Sequence, residues 1–319
     1  MARLSEERLA HVAFLYYVQG MSQAEVAQAL NVTRSNVSRM LTSAREQSIV
    51  RFEITYPLDR DPPMEKALVT KFAEAGVREV IVVPTLDAGV GQASQAMLSV
   101  GRAACAWLDS NLVDDQILGL CWGTTIEAMV ASAHFKRKID VQVVQLAGEL
   151  SIDSRFSGHD LVRRLAEKIG GRYRYFNAPA ATVDEATAIA LSRTQQVAEA
   201  LTIARSSNVA VLGIGEYGSG SSDRFLKRAG ASVSEILEAS DAQAVGQMSG
   251  RFYGADGRQI DLSINRRILS LDLTEVRNVE TVVAVVSGVH KERATRAAIA
   301  GGLVNVLIVD ESLARALIS

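Results

Sequence analysis

The chain has 319 residues, of which 48% are hydrophobic and 22% charged, and its formal net charge is −2. This length predicts two domains with a sizeable core, and the balanced charge excludes a protein that binds nucleic acid over its whole surface. Two cysteines are too few for a disulfide framework, and the lack of a signal peptide or of an apolar run of about 18 residues predicts a cytoplasmic protein without a membrane span.

The N-terminal region reads as three helices. Apolar residues recur at helical spacing over residues 5–19 and predict the first helix. The second helix is predicted over about 23–29, with Ser22 as its N-cap and a glutamate three residues later to complete a capping box. Thr33 is the predicted N-cap of the third helix, over about 34–47.

The second and third helices have the spacing of a helix-turn-helix, so operator DNA is the expected partner of this region. Three arginines and no acidic residue lie between residues 33 and 45, which gives the third helix a basic stripe. Arginine and short polar side chains suit phosphates and base edges. A helical hairpin used only for oligomerisation is the alternative. The predicted DNA contacts are Ser22, Gln23, Thr33, Arg34, Ser35, Asn36, Ser38 and Arg39.

Prolines and charges interrupt the chain after the third helix. This composition is typical of a connector between domains. We therefore place a helix-turn-helix domain at residues 1–56, a connector at 57–63 and a second domain at 64–319.

The second domain repeats one pattern, in which an apolar run rich in β-branched residues precedes a helical stretch. This pattern predicts an α/β domain with a mostly parallel sheet covered on both faces, and ligands bind such sheets at the carboxyl ends of the strands. An Asp-Gly turn within residues 249–261 predicts an inserted β-hairpin. The strands are predicted at 79–84, 116–123, 141–148, 172–180, 209–215, 281–288 and 305–310, and the helices at 64–75, 90–108, 124–134, 159–169, 184–204, 223–229, 291–300 and 311–318.

One strand end has the composition of an anion site. The run that ends in Trp122 leads into Gly123, Thr124 and Thr125 and then into a predicted helix. Glycine lets the backbone approach a ligand closely, and threonines at a helix N-terminus offer N–H and hydroxyl groups to a phosphate. The same residues fit an ordinary threonine-capped helix equally well.

Three further strand ends carry polar candidates. Lys291 follows a glycine turn and suits a phosphate, although a solvated lysine is the commoner case. Residues 147–160 form a long polar loop that contains Glu149 and His159, and the Gly-rich segment 213–222 is interpreted as a mobile ligand loop because it lacks dinucleotide-binding spacing. No metal-ligand cluster or nucleophile motif is present, so we expect no metal, cofactor or catalytic residue.

Four motifs in a fixed order connect the chain to a known family. They are GMSQAEVAQALNVTRSNVSRMLTSAREQSIVRFEI, WGTTIEAM, GRFYGADGRQID and AAIAGGLVNVLIVDESLARALI. In these motifs the chain resembles the SorC-type (DeoR-like) sugar-binding transcriptional regulators over nearly its full length. The resemblance implies a second domain similar to sugar-phosphate isomerase and deaminase folds, a phosphorylated sugar or polyol as effector, and a homodimer or homotetramer that regulates transcription.

The resemblance also implies the effector site. It assigns phosphate contacts to the glycine-threonine loop, a second charge to the C-terminal lysine, and the turn that faces the sugar to the glycine after the third strand. The predicted effector-binding residues are Gly123, Thr124, Thr125, Gly148 and Lys291, which follow from the resemblance, and Glu149 and Gln247, which stand where the chain departs from it.

Two departures from the family pattern bear on the effector. Many relatives have a basic residue and a glycine pair where this chain has Ala147, Gly148 and Glu149, and many have aspartate where it has Gln247. These changes favour a singly phosphorylated or neutral polyol over a bisphosphate. A sugar-phosphate isomerase or deaminase with an appended DNA-binding segment is the alternative function, and its general base would have to be Glu149, Asp153 or His159.

Overall fold

The computed structural model describes residues 5–50, 59–84, 92–150, 157–175, 177–218 and 220–319. The chain divides into two compact units, Met1–Pro57 and Leu58–Ser319. None of the helices in the described ranges is long and apolar enough to cross a membrane.

The first unit is helical. It contains α1 (Glu6–Ala13), α2 (Gln23–Ala29) and α3 (Arg34–Glu46). The predicted first helix differs at its end, because Phe14–Val18 adopt a wider π-helical turn that Gln19 closes by donating its N–H to the Phe14 carbonyl. The three α-helices enclose a small apolar core formed by Leu9, Val12, Val26, Val37, Met40 and Leu41.

Local capping chemistry fixes the starts of α2 and α3. The Ser22 hydroxyl accepts the Glu25 N–H, and the Glu25 carboxylate accepts the Ser22 N–H at 2.7 Å. This reciprocal pair confirms the predicted capping box. The Thr33 hydroxyl accepts the N–H of Asn36 at 3.2 Å, which confirms the predicted cap of α3.

The second unit alternates strands and helices. Short 3₁₀ turns lie at Ala73–Ala75 and Val289–Lys291. In chain order the elements are α4 (Pro62–Phe72), β1 (Glu79–Val83), α5 (Gln92–Asn111), β2 (Ile117–Leu120), α6 (Thr124–Ser132), β3 (Gln142–Gln145), α7 (Gly158–Ile169), β4 (Arg172–Arg174), α8 (Glu185–Ser192), α9 (Gln195–Arg205), β5 (Val209–Leu212), β6 (Gly215–Glu216), α10 (Gly220–Arg228), α11 (Val233–Asp241), β7 (Gly246–Met248), β8 (Arg251–Tyr253), α12 (Ser263–Arg266), α13 (Leu273–Arg277), β9 (Thr281–Val286), α14 (Glu292–Ala300), β10 (Val306–Asp310) and α15 (Glu311–Ile318).

Seven strands form one parallel sheet in the order β1-β10-β9-β5-β2-β3-β4, which confirms the predicted fold class. The chain runs outward from β2 through β3 to β4 and then returns to β5 on the other side of β2. The strand order therefore reverses between β2 and β5. In parallel sheets a crevice opens at such a switch point, outside the carboxyl ends of the strands.

Both faces of this sheet are buried, as the continuous apolar strands predict. Successive residues of a strand point to opposite faces and join two separate clusters. One cluster contains Val80, Val82, Val144, Leu212 and Val286. The other contains Ile81, Val83, Val143, Val211 and Val285.

The predicted reversal at the Asp-Gly turn forms, because Tyr253 and Gln259 make an antiparallel bridge and the Gly254 N–H donates to the Arg258 carbonyl at 3.0 Å, and a second hairpin that was not predicted precedes it. β7 and β8 pair antiparallel around Ser249 and Gly250, and β6 joins them in a three-stranded sheet. The Asp256-Gly257 pair makes the next turn, beyond β8. A Cβ on Gly257 would lie 2.2 Å from the Ala297 carbonyl oxygen, so close packing against α14 explains this glycine.

Other predicted boundaries also differ. α4 begins at Pro62 with Asp61 as its N-cap, so the predicted connector at 57–63 extends too far. Proline favours the first turn of a helix, where its missing N–H has no acceptor. The predicted helix 184–204 is two helices, α8 and α9. Of the predicted strand 172–180, only Arg172–Arg174 form a strand, β4. α11 has no counterpart among the predicted helices.

Candidate functional site

A cleft of about 780 Å³, including its open mouth, lies at the carboxyl ends of β2, β5 and β9, beside the switch point. The start of α6, one side of α10 and the β7–β8 hairpin complete its walls. Of the predicted effector residues, the cleft brings together Gly123, Thr124, Thr125, Glu149, Gln247 and Lys291.

The N-terminus of α6 opens into this cleft without a side-chain cap. Gly123 is the N-cap residue, and its φ of +154° is a backbone conformation that other residues rarely adopt. Thr124 is exposed and Thr125 is buried. The uncapped N–H groups of this first turn, together with the helix dipole, favour an anion.

Lys291 lies at the end of the 3₁₀ turn before α14 and is only 8% exposed. Among the described residues its ammonium group makes no hydrogen bond or ion pair. Burial lowers the pKa of Lys291, and the charge of Arg224 lowers it too, while Asp310 opposes this. The lysine is therefore not a solvated side chain. A largely desolvated lysine that lines a cleft without a hydrogen-bond partner would be stabilised by an anionic ligand.

α10 adds two cations that sequence analysis missed. Arg224 and Arg228 are four residues apart on one face of this helix and both line the cleft. Neither guanidinium makes an ion pair within the described part of the chain. Burial raises the pKa of Glu127 on α6, and the charges of both arginines oppose this rise. The available sequence signal was the four-residue spacing of the arginines on a helix after a Gly-rich segment.

Buried polar side chains without partners flank the same cleft. Gln145, Ser222 and Thr295 have buried polar atoms for which the described ranges supply no hydrogen-bond partner. The Gln145 amide nitrogen and the Ser222 hydroxyl lie 3.1 and 3.0 Å from where a Cβ would stand on Gly158 and Gly215, two residues of the cleft wall. Thr295 is one helical turn beyond the cleft lysine. Native proteins satisfy nearly all buried polar groups, so this concentration points to a ligand site.

Glu149 has a structural partner in the cleft wall. Its carboxylate accepts the N–H of Gly158 at 2.9 Å and of His159 at 3.1 Å, and so caps α7. The His159 ring stacks on Tyr175, with 4.2 Å between ring centroids. Asp153 lies outside the described residues.

Gly148 and Gln247 support the wall. A Cβ on Gly148 would lie 2.4 Å from the Pro179 carbonyl oxygen, so only glycine fits there. Gly148 stands behind the cleft surface, where its carbonyl accepts the Trp122 indole N–H at 3.0 Å. Gln247 lines the cleft, and its side-chain oxygen accepts the Gly250 N–H and fixes the hairpin turn.

The predicted mobile loop at 213–222 contains regular structure. β6 and the start of α10 lie within it, and Gly213 and Gly215 line the cleft. Residue 219 is outside the described ranges.

In the first unit, the outer face of α3 presents Arg34, Ser35, Ser38 and Arg39 to solvent, while Asn36 is half-buried. The Arg39 guanidinium donates a hydrogen bond to the Asn36 side-chain oxygen. At the start of α2, Ser22 is exposed and Gln23 half-exposed. The predicted DNA contacts of α3 thus lie opposite its apolar face.

Each of the two units matches a known protein family. A family described as "Putative sugar-binding domain" matches residues 56–319, and one described as "Sigma-70, region 4" matches residues 7–47. The chain is 28% identical to the deoxyribonucleoside regulator of Bacillus subtilis (strain 168), over 100% of this chain and 99% of that protein. It is 25% identical to the sorbitol operon regulator of Klebsiella pneumoniae, over 96% of each.

Two solved structures show the same fold. The full-length sorbitol operon regulator SorC of Klebsiella pneumoniae superposes with a TM-score of 0.73 at 23% identity, covering 98% of this chain and 99% of that one. A DeoR family transcriptional regulator from Listeria monocytogenes gives a TM-score of 0.71 at 26% identity, covering 80% of this chain and 98% of that one.

Proposed function

Since the chain belongs to the SorC-type family of sugar-binding regulators, we propose that it regulates transcription by binding operator DNA and sensing a phosphorylated sugar or polyol. The helix-turn-helix binds the DNA, and the cleft of the second unit binds the effector. Binding of the effector changes the affinity for DNA through its different affinity for two states of the protein.

The observation that carries the proposal is Lys291, a nearly buried residue that lines the same cleft as the uncapped N-terminus of α6 and whose ammonium group has no hydrogen bond or ion pair among the described residues. A phosphate supplies oxygen atoms to both, since it accepts hydrogen bonds from backbone N–H groups and pairs with a lysine. The hydroxyl groups of Thr124 and Thr125 add further donors. A neutral polyol would leave the lysine uncompensated.

The charges of the remaining cleft residues also favour a phosphate over a neutral ligand. Arg224 and Arg228 raise the number of cationic side chains to three, against the carboxylates of Glu127 and Glu149. The carboxylate of Glu149 is already hydrogen-bonded to the start of α7. Among the residues that line the cleft, cationic side chains therefore outnumber carboxylates by three to two.

The enzymatic alternative receives less support. A general base must have a free carboxylate or imidazole within reach of the substrate. Glu149 accepts two N–H groups at the start of α7, and His159 lies against it with 3.7 Å between its Nε2 and the Glu149 Oε2, so both candidates also have structural roles in the cleft wall. Relatives similar over the full length of the chain carry the names of regulators, which favours a sensor over a catalyst.

The proposed assembly is a homodimer or homotetramer that acts in the cytoplasm. Paired helix-turn-helix units bind two half-sites one helical turn apart, which requires at least two copies. In each copy α3 contacts the DNA with Arg34 and Arg39, and the exposed basic side of this helix supports that role. The match to a sigma-factor region over residues 7–47 supports it as well.

A thermal-shift screen tests the proposal. Glucose 6-phosphate, fructose 6-phosphate, ribose 5-phosphate and inorganic phosphate are compared with the unphosphorylated sugars. A ligand that binds the native state raises Tm by mass action, so phosphates raise it and free sugars do not. Lys291→Met abolishes the shift, while Lys227→Met, which removes an exposed lysine of α10, preserves it. Equal shifts with phosphorylated and free sugars contradict the proposal.

A further inference from the structure

We infer, on the basis of the proposed function, that the effector binds as a closed sugar ring stacked on Trp122, with its phosphate at the start of α6 and its hydroxyl groups toward Glu149. The inference predicts that cyclic sugar phosphates bind more tightly than open-chain polyol phosphates. It rests on the fixed indole of Trp122, on the anion site and the carboxylate near this indole, and on the shape of a sugar ring.

The indole of Trp122 is held in place from two sides. Its N–H donates to the Gly148 carbonyl at 3.0 Å, and its ring stacks on Phe225 of α10 with 5.5 Å between centroids and 17° between planes. At this centroid separation the rings are offset, so Phe225 supports only part of the indole. Trp122 is partly exposed and lines the cleft. The cleft therefore contains a rigid aromatic surface.

This aromatic surface adjoins both an anion site and a carboxylate. Trp122 directly precedes Gly123, which begins α6, the helix whose first turn has no side-chain cap. The indole Cδ1 and the Glu149 Oε2 lie 3.5 and 3.2 Å from one point, the position of a Cβ on Gly158. A sugar that lies on the indole with its phosphate at the start of α6 therefore has Glu149 within reach of its hydroxyl groups.

A closed sugar ring with a phosphate matches the indole, the anion site and the carboxylate. One face of the ring presents C–H groups, which lose contact with water when they cover an indole. Hydroxyl groups at the ring edge donate to carboxylate oxygens, and each oxygen of Glu149 has a second acceptor site beyond the N–H that it already accepts. An open-chain polyol carries hydroxyl groups on every side and loses rotational freedom on binding.

Calorimetric titration of matched pairs tests the inference. Glucose 6-phosphate is compared with glucitol 6-phosphate, and ribose 5-phosphate with ribitol 5-phosphate. Removing about 40 Å² of C–H surface from water corresponds to roughly a fivefold change in Kd, so we expect the ring form of a pair to bind roughly fivefold tighter. Trp122→Leu abolishes this preference and leaves inorganic phosphate binding unchanged, while Trp122→Phe retains most of it.

The outcomes also separate this inference from the proposed function. Equal or tighter binding of the open-chain forms, or an equal loss for both members of a pair in Trp122→Leu, overturns the ring-stacking inference alone. Failure of every phosphate to bind overturns the proposed function. If Trp122→Leu does not fold, Trp107→Phe leaves Trp122 as the sole tryptophan, and its emission must shift with the ring form and not with the open-chain form.

Discussion

The guanidinium of Arg267 donates two parallel hydrogen bonds to the carboxylate of Glu235, of 2.6 Å from Nε to Oε1 and 3.0 Å from Nη2 to Oε2. Both side chains are nearly buried. The same guanidinium donates to the carbonyl groups of Thr182, Ala229 and Gly230, so it joins the end of α10 to the start of α11. This pair fixes the helix that carries the arginines of the cleft.

The pair predicts acid sensitivity of the second unit. Hydrogen bonds from Arg267 lower the pKa of Glu235 to about 2 from its ordinary 4.5. Because the folded value is the lower one, the stabilisation is complete above about pH 4.5 and is lost as the pH falls toward 2. Glu235→Gln should cost about 3 kcal/mol at pH 7 in urea unfolding.

The loss in Glu235→Gln should shrink at pH 3, where the wild type has lost part of the same interaction. Glu199→Gln, which removes an exposed partner of Arg174, is the matched control and should change the unfolding free energy little at either pH. An equal loss at both pH values for Glu235→Gln would rule out the ionised pair as the cause.

The threonines of α6 should matter for the effector and not for DNA. Replacing Thr124 and Thr125 by alanine removes two hydroxyl donors from the cleft, which we expect to weaken phosphate binding by at least about tenfold, at about 1 kcal/mol per hydrogen bond. Gel-shift titration should show unchanged DNA affinity and an effector response that requires at least about tenfold more phosphate. Loss of DNA binding in a folded variant would contradict the separation of the two functions.

Arg39 should contribute electrostatically to DNA binding. Arg39→Ala should weaken binding to all sequences and reduce the slope of log K against log salt by about one unit. Arg8→Ala, an exposed arginine of α1, is the control. An unchanged salt slope for Arg39→Ala would favour the hypothesis that the helical pair serves only oligomerisation.

Asn36 is a candidate for base readout and also accepts a hydrogen bond from Arg39. If it reads a base, Asn36→Ala should cost about 1–3 kcal/mol on the preferred sequence and relax specificity. A selection of DNA sequences by each variant measures this. If Asn36 only orients Arg39, the two single variants and the double variant should lose the same affinity, with unchanged sequence preference.

Local chemistry explains which parts of the fold were predictable. The capping box of Ser22 and the cap at Thr33 depend on residues three positions apart, so α2 and α3 began where expected. The parallel strands followed from continuous apolar runs. The turn at Asp256 and Gly257 formed where expected, but the packing of its glycine against Ala297 of α14, more than thirty residues away in the chain, had no local signal.

The candidate site was predictable only in part, for the same reason. The glycine-threonine loop stands out in the sequence because it follows a strand and opens a helix. The burial of Lys291 and the approach of Arg224 and Arg228 depend on how α10 and α14 pack against the sheet, which no local pattern records. Gly148, assigned by resemblance, serves packing against Pro179 and holds Trp122.

The most direct test of effector sensing combines both units in one titration. Fluorescence anisotropy measures binding to a DNA fragment selected by the wild-type protein, with and without the sugar phosphate that gives the largest thermal shift. Lys291→Met should bind this DNA as the wild type does and lose its response to the phosphate, while Lys227→Met should keep both. A full response in Lys291→Met would contradict the account.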